Sequence, residues 1–567
     1  MSSHLQHISN LALLCLQHGV KEAVITPGSR NAPLISAFTQ QPGIRCYSIP
    51  DERSAAYFGL GLSLASQTPV VILCTSGTAA LNFSPAVAEA WYQHVPLIVI
   101  TADRPPDAID KLHNQTIPQN GIYTQFVKGS LCWDKSLSDR VAAKKANALL
   151  ELSAAPYRGP VHFNVPVEEP LYALLPEAKP LFALPKSVSL SGAPAISLSA
   201  LWRKSMKIIV LCGQYPYNSA LNAAITLLVK KQKAVVIAEP LANIRVKQVI
   251  HAPENVLLSL VGRNDSCYRP DLLVSLGGQV VSKQWQRWME MQPELQHWRI
   301  TETAQMPDTY GNLKGISIGN PGAILQQLAT TENQPSPVFF SDWLHIAHTR
   351  QKVVRDFARE APFSDLKVMS QIISSLPGGC NLHLGNSSVV RYAQLFDLTG
   401  TLHVFGNRGV SGIDGSVSTA AAIATATPHI PNVLIVGDMG FVYDSNGLWN
   451  KHFPDNLTIF VINNAGGGIF RLIDGPEKMP WFETFQETRH AVNLEALSHA
   501  YHLNFQRCDN LGALQRLLKT LFQSKQRATV IEIQTDRYMN PEIYKKYKNK
   551  LVETYEYAQR VDYPKKV

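Results

Sequence analysis

The stretch LTIFVINNAGGGIF, residues 457–470, runs an unbroken apolar and β-branched segment straight into two asparagines and three glycines. A strand with water on one face alternates polar and apolar residues, and this one does not. It reads as a strand buried on both faces, the habit of parallel sheets covered by helices. The glycines that follow are costly, because glycine loses the most backbone entropy on folding. Bare backbone at a buried strand end is therefore expected to serve a purpose.

The same pattern recurs along the chain. EAVIT (22–26), RCYSI (45–49), VVILC (70–74), LIVIT (97–101) and VHFNV (161–165) alternate with helical stretches such as 53–66 and 78–92. Residues 166–200 are rich in Pro, Ala and Ser and read as a linker. KIIVLCG (207–213), AVVIAEP (234–240) and LLVSLGG (272–278) form a second set, closed by the polar TTENQPSPV (330–338). NLHLGNS (381–387), TLHVFGN (401–407), NVLIVGD (432–438) and TVIEIQT (529–535) join the opening stretch in a third. The expected fold is α/β, with three doubly wound parallel-sheet domains at 1–185, 195–335 and 350–567. A chain of 567 residues is too long for one core.

Bulk properties narrow the function. Net charge is +9 and the pI is near 9.0, yet no block of five Lys or Arg occurs. The basic residues of interest sit singly at strand ends, which favours small anions over nucleic acid. Eight cysteines are scattered without a CxxC pair or a metal-ligand spacing. Reduced thiols in a cytoplasmic protein are expected. The N-terminus lacks the features of a signal peptide, and no apolar run reaches membrane-spanning length, so no stable membrane anchor is expected.

Ligands of open parallel sheets bind beyond the carboxyl ends of the strands. The loops there read TPGSRN, PDERS, TSGTAALN and TADRPP in the first unit, and LGNSSVVR, GNRGVSGIDG, GDMGFVYD and NNAGGGIF in the third. Asp438 and Asn464 close two consecutive strands, 26 residues apart, with room between for a helix at 440–451. A carboxylate, an amide oxygen and an exposed glycine carbonyl are hard donors of the kind Mg²⁺ takes together with phosphate oxygens and water. Taken singly, Asp438 also reads as a helix cap and the asparagines as a turn. Likewise Glu52, with Asp51 before it, reads as a first-turn acid favourable to the helix dipole.

GD followed some 25 residues later by NN resembles the diphosphate-binding motif of the thiamine diphosphate enzymes, and the three-unit order resembles their pyrimidine-binding, middle and diphosphate-binding domains. The resemblance implies thiamine diphosphate as cofactor and Mg²⁺ (or Mn²⁺) on Asp438, Asn464 and the Gly466 carbonyl. Met439 stands where the usual motif has glycine, and Gly440 follows it. Glu52 would contact the aminopyrimidine ring nitrogen, Ile413 would prop the cofactor in its bent shape, and Gly77, Ser387, Ile469 and Phe470 would complete its site. A pocket that buries Glu52 would raise its pKa, which suits proton sharing.

TPGSRN, TADRPP and NRGVSGIDG together resemble one branch of that family, which decarboxylates 2-oxoglutarate and adds the resulting succinyl-semialdehyde carbanion to isochorismate in menaquinone biosynthesis. That branch implies substrate contacts from Ser29, Arg30, Arg104, Asn114, Gln115, Lys283, Ser387, Arg391 and Arg408. Of these Ser29, Arg30, Gln115, Arg391 and Arg408 would act with Glu52 in catalysis. Both substrates are dicarboxylates, and arginine binds carboxylates bidentately. A simpler 2-oxoacid decarboxylase or an acetolactate-synthase-like carboligase is the alternative, with smaller and less charged substrates. The family also implies a homodimer or a dimer of dimers, with the cofactor between the first unit of one chain and the third of another.

Overall fold

The computed structural model describes residues 5–562 apart from 137–138, 155–156, 180–192, 261–265, 293, 306, 474 and 524–526. Much of the expected linker, 180–192, thus lies outside the described residues. The chain divides into two compact units. One comprises Met1–Ser189, Asn407–Asn432 and Gly440–Leu457, and the other Leu190–Gly406, Val433–Met439 and Thr458–Val567.

Three sheets, all parallel, carry the fold. The first contains β1 (Glu22–Ile25), β2 (Arg45–Ser48), β3 (Val70–Cys74), β4 (Leu97–Asp103), β5 (Ser130–Cys132) and β6 (Val161–Pro166). Its order is β2-β1-β3-β4-β6-β5. The middle sheet contains β7 (Ile208–Cys212), β8 (Val235–Ala238), β9 (Leu272–Leu276), β10 (Gln296–Thr301) and β11 (Leu313–Ile318), in the order β11-β10-β9-β7-β8. The third contains β12 (Asn381–Leu384), β13 (His403–Phe405), β14 (Asn432–Gly437), β15 (Leu457–Asn463), β16 (Asn504–Cys508) and β17 (Thr529–Gln534). Its order, β13-β12-β14-β15-β17-β16, repeats that of the first sheet strand for strand. Two sheets of one topology in one chain are what the like runs of apolar strands and helices led one to expect.

Central strands are buried along their length, as unbroken apolar runs require: every residue of β3, β4, β7 and β9 is buried. Four strands carry no such signal. β5 is three residues long, and β11 and β16 lie at sheet edges. β10, QHWRIT, mixes charged and apolar residues.

Two helices differ from expectation. The stretch 78–92 is two helices, Thr78–Asn82 and Ser84–Gln93, with Pro85 in the first turn of the second. Proline fits there and cannot continue a preceding helix. The helix expected at 440–451 begins at Asp438 and ends at Tyr443, followed by a 3₁₀ turn at Ser445–Leu448. Asp444 is drawn away from helical continuation. Its carboxylate accepts from the Ser418 amide at 2.7 Å and the Ser418 hydroxyl at 2.8 Å.

Within the first unit, the helix Glu52–Ser66 lies against the helix Ser416–Ala426 through small residues. A Cβ on Gly61 would come within 2.5 Å of the Thr419 carbonyl oxygen and 2.7 Å of the Ala422 Cβ. Gly415 lies under the Tyr57 ring, where a Cβ would approach Cγ to 2.1 Å. The Tyr57 hydroxyl donates to Asp414 at 3.0 Å. In the second unit the Asn243 side chain ties the middle sheet to the third. It accepts from the Val404 amide at 2.8 Å and donates to the Val404 carbonyl at 3.1 Å.

The close approach at Gly61 is open to test. Gly61→Val should cost about 1–3 kcal/mol through overpacking, read as a clear fall in melting temperature by differential scanning fluorimetry. An unchanged melting temperature would mean these helices do not meet as described.

Candidate active site

Loops after β1 to β4 carry the first group of candidate residues. Arg30 is 5% exposed, donates to the Val167 carbonyl at 2.9 Å and pairs with the exposed Glu169 at 3.1 Å. Burial, and then the neighbouring charge of Arg104, hold its guanidinium below the usual arginine range. The Nε–H groups of Arg30 and Arg104 are both buried without a hydrogen-bond partner among the described residues. Two cationic side chains close enough for their charges to interact, each with such a donor, are suited to an anion.

Ser29, Asn114 and Gln115 are exposed near these groups in sequence. Gln115 has φ +59°, a left-handed conformation uncommon for a side-chain-bearing residue. Its carbonyl accepts from the Ser76 hydroxyl at 3.0 Å. Gly77, φ +83°, fits beneath it, where a Cβ would meet the Gln115 Cγ at 2.9 Å. Glu52 opens the helix Glu52–Ser66 behind Asp51, whose carboxylate caps the Ser54 amide at 2.8 Å. Asp51 is thus the cap of this helix, and it leaves the Glu52 side chain available. Glu52 is half-buried. Burial raises its pKa, the charge of Asp51 adds to this, and a bond from its own amide opposes it.

The same unit contains Arg408, Ile413 and Gly440, the first two half-buried. Glu89, fully buried, accepts from the Gly409 amide at 2.6 Å and the Val410 amide at 2.7 Å. Burial raises the Glu89 pKa against those two bonds and the charge of Arg408. A carboxylate inside the helix Ser84–Gln93 thereby fixes the loop that bears Arg408.

The second unit holds the others: Lys283, Ser387, Arg391, Asp438, Met439, Asn464, Gly466, Ile469 and Phe470. Asp438 is 2% exposed and accepts from the Met439 amide at 2.8 Å and the Gly466 amide at 2.8 Å. It also pairs with His490 at 3.0 Å, which lifts the histidine pKa. The 26-residue spacing has thus brought the two strand-end loops together. Asn464 is 9% exposed and its Oδ1 has no partner among the described residues. Gly466, φ +152°, is packed so that a Cβ would approach the Glu487 carbonyl to 2.8 Å. Ala465 is left-handed at φ +59°, and so is Ser387 at φ +71°.

A buried carboxylate, an unpartnered buried amide oxygen and a glycine backbone suit a divalent ion whose remaining positions go to phosphate and water. Among the described residues no cluster of three His, Cys, Asp or Glu forms an all-protein metal cage. Lys283 is exposed at the first position of the helix Lys283–Glu290. A cation there opposes the helix dipole, so fold stability does not explain it. Arg391 is half-buried at the end of the short helix Ser388–Ala393. Ile469 and Phe470 are half-buried in a 3₁₀ turn, not sealed in a core.

Three further residues matter to these loops. Gln119, fully buried, accepts from the Gly77 amide at 2.7 Å and donates to the Ala102 carbonyl at 3.0 Å and Asn164 at 3.1 Å. It links the loops after β3 and β4, and nothing local announces it. Glu89 does leave a trace, a lone acid in the apolar PAVAEAWY, because a buried charge must find partners. His490 lies 52 positions from Asp438, beyond reach of pattern reading.

Models of known families match at both ends of the chain. The N-terminal thiamine pyrophosphate-binding domain of thiamine pyrophosphate enzymes matches residues 9–125. The C-terminal thiamine pyrophosphate-binding domain matches residues 384–533. Among curated relatives, the 2-succinyl-5-enolpyruvyl-6-hydroxy-3-cyclohexene-1-carboxylate synthase of Flavobacterium johnsoniae is 36% identical across 94% of this chain and 97% of its own. The synthase of that name from Desulfotalea psychrophila is 38% identical across 89% and 93%. That from Porphyromonas gingivalis is 35% identical across 95% and 96%. No helix among the described residues is long and apolar enough to cross a membrane.

Gln119→Ala should strand the Gly77 amide and the Ala102 carbonyl, each at about 1–3 kcal/mol. The expected result is faster hydrogen exchange at the Gly77 amide and a lower melting temperature. Unaltered exchange there would remove Gln119 from the loop network.

Proposed function

The chain belongs to the 2-succinyl-5-enolpyruvyl-6-hydroxy-3-cyclohexene-1-carboxylate synthase family of thiamine pyrophosphate enzymes, and we propose from this that it decarboxylates 2-oxoglutarate and joins the succinyl-semialdehyde unit to isochorismate. The products are CO₂ and 2-succinyl-5-enolpyruvyl-6-hydroxy-3-cyclohexene-1-carboxylate. The observation that carries the substrate class is the Arg30–Arg104 pair, with its like charges and two unpartnered buried Nε–H groups. A substrate carboxylate meets that demand, and the second carboxylate of a dicarboxylate would take one of the remaining cations, Arg391, Arg408 or Lys283.

Thiamine diphosphate, when bound, supplies the electron sink that both the decarboxylation and the new carbon–carbon bond require. Asp438, the Asn464 Oδ1 and the Gly466 carbonyl would hold Mg²⁺ (or Mn²⁺) against its diphosphate. Asp438 keeps acceptor capacity beyond its present bonds, since a carboxylate offers about four lone-pair sites. Glu52 would hold and release the proton at the aminopyrimidine ring nitrogen, a task its raised pKa suits. Gly77, Ser387, Met439 and Gly440 would line the cofactor, with Ile413, Ile469 and Phe470 excluding water around it. Arg30, Arg104, Arg391, Arg408 and Lys283 would grip carboxylates, and Ser29, Asn114, Gln115 and Ser387 would orient the substrates. The clamp of Glu89 on Gly409 and Val410 would hold Arg408 in place.

We further propose a cytoplasmic homodimer, or a dimer of dimers, built from domains at 1–185, 195–335 and 350–567. Glu52 of one chain would then serve the cofactor held by Asp438 and Asn464 of another, in a twofold arrangement.

The direct assay follows CO₂ release from 2-oxoglutarate with and without isochorismate, omitting thiamine diphosphate and Mg²⁺ in turn. Activity should require all of them for product formation, and turnover indifferent to isochorismate would point to a plain decarboxylase. Glu52→Gln should keep its melting temperature and cofactor affinity but lose turnover by about 10²-fold or more. Retention of more than about a tenth of wild-type activity would take the proton-transfer role from Glu52.

Shared sites predict complementation. Glu52→Gln and Asp438→Ala chains, each inactive, are mixed in equal amounts under conditions that allow subunit exchange. About half the dimers would be mixed, each with one intact site, so about a quarter of wild-type activity should return if sites act independently. No recovery after demonstrated exchange would place each site within one chain.

A further inference from the structure

Asp365 opens the helix Asp365–Ser375 in the second unit and is 3% exposed. Its Oδ1 accepts from the Thr535 hydroxyl at 2.6 Å, and its Oδ2 accepts from the Asn464 Nδ2 at 3.3 Å. Asn540 closes the circuit. Its Oδ1 accepts from the Asp365 amide at 2.8 Å, and its Nδ2 donates to the Thr535 hydroxyl oxygen at 3.2 Å. Thr535 in turn is anchored beside Asn464 by its amide, which donates to the Asn463 carbonyl at 3.0 Å.

An asparagine amide has one accepting and one donating end, and only its oxygen can ligate a cation. A carboxylate accepts and does not donate. Placed against one end of the amide, it selects the NH₂ and turns the oxygen the other way. That oxygen is the atom found buried and without a partner among the described residues. Gly468 boxes the amide in, since a Cβ there would lie 2.6 Å from the Asn464 Nδ2 and 3.0 Å from its Oδ1. The amide has little room to turn, and the end it presents is decided by its partner.

We infer that Asp365 is a positioning residue that orients the Asn464 amide so that its oxygen, and not its nitrogen, faces the divalent ion. This rests on the cofactor reading above and goes beyond it by assigning a role to a residue outside the donor set. Outer partners of metal ligands are worth about 10–100-fold in metal affinity.

The test titrates the full-length protein, freed of cofactor by dialysis, with thiamine diphosphate by calorimetry at pH 8 over a series of Mg²⁺ concentrations. The readout is the Mg²⁺ concentration at half-saturation, with circular dichroism as the check on folding. Asp365→Leu should raise that concentration about tenfold or more. Asp365→Asn can still accept from Asn464 through its own oxygen while donating to Thr535, and should stay within about threefold of wild type. A folded Asp365→Leu protein with an unchanged Mg²⁺ requirement would overturn the inference. So would an Asp365→Asn protein as impaired as the leucine variant, because that would make charge or packing the cause. If Asp365→Leu does not fold, Asp365→Ala decides. It removes both carboxylate oxygens with less added bulk and should raise the requirement about tenfold, and no change would overturn the inference. A wild-type protein that binds no thiamine diphosphate at any Mg²⁺ concentration would overturn the cofactor reading and this inference with it. Wild-type binding with unaffected variants overturns the inference alone.

Discussion

A parallel sheet fixes the direction of every strand it contains. Each strand must return by a helix on the sheet face, so all carboxyl ends gather along one edge. The loops at that edge are freed from sheet pairing and can bend as chemistry asks. Several residues with positive φ lie there: Gly77, Gln115, Ser387, Ser411, Ala465 and Gly466. Left-handed side-chain-bearing residues cost energy that the surrounding structure must offset. Here the offset comes from packed strands and from buried side chains such as Gln119, Glu89 and Asp365, each of which holds a loop by its backbone or its ligand atom.

The polar groups of these loops are left partly unmet. The Nε–H donors of Arg30 and Arg104 and the Asn464 Oδ1 are buried with no partner among the described residues. Each such group costs about 1–3 kcal/mol relative to a satisfied one. The arginine donors are suited to an anion and the asparagine oxygen to a cation. In the function proposed above, dicarboxylate substrates and a diphosphate held through a divalent ion would answer them.

Much of this was legible in the sequence because it is local. Unbroken apolar runs marked the central strands, and Gly-, Asn- and Asp-rich tetrapeptides marked their ends. The 26-residue interval between Asp438 and Asn464 predicted adjacent loops, and the Asp438–Gly466 bond at 2.8 Å meets it. What stayed hidden depends on distant partners. β5, β11 and β16 are short or at sheet edges, where burial imposes no apolar pattern. The early end of the helix at Tyr443 follows from Asp444 reaching Ser418, 26 positions away. Gln119 and Asp365 find their partners 42 and 99 positions off. No window of sequence contains both halves of such a bond.

The first unit is not continuous along the chain. Its sheet is complete by Pro166, yet the helix Ser416–Ala426 that meets Gly61 comes only after Leu190–Gly406 have been made. At 5–20 residues/s, that interval lasts roughly 10–40 s on the ribosome. Throughout it the small-residue face around Gly61 on the helix Glu52–Ser66 lacks its cover. The nascent chain thus leaves that face uncovered for far longer than a helix takes to form, and the fold of the first unit can be completed only late in synthesis.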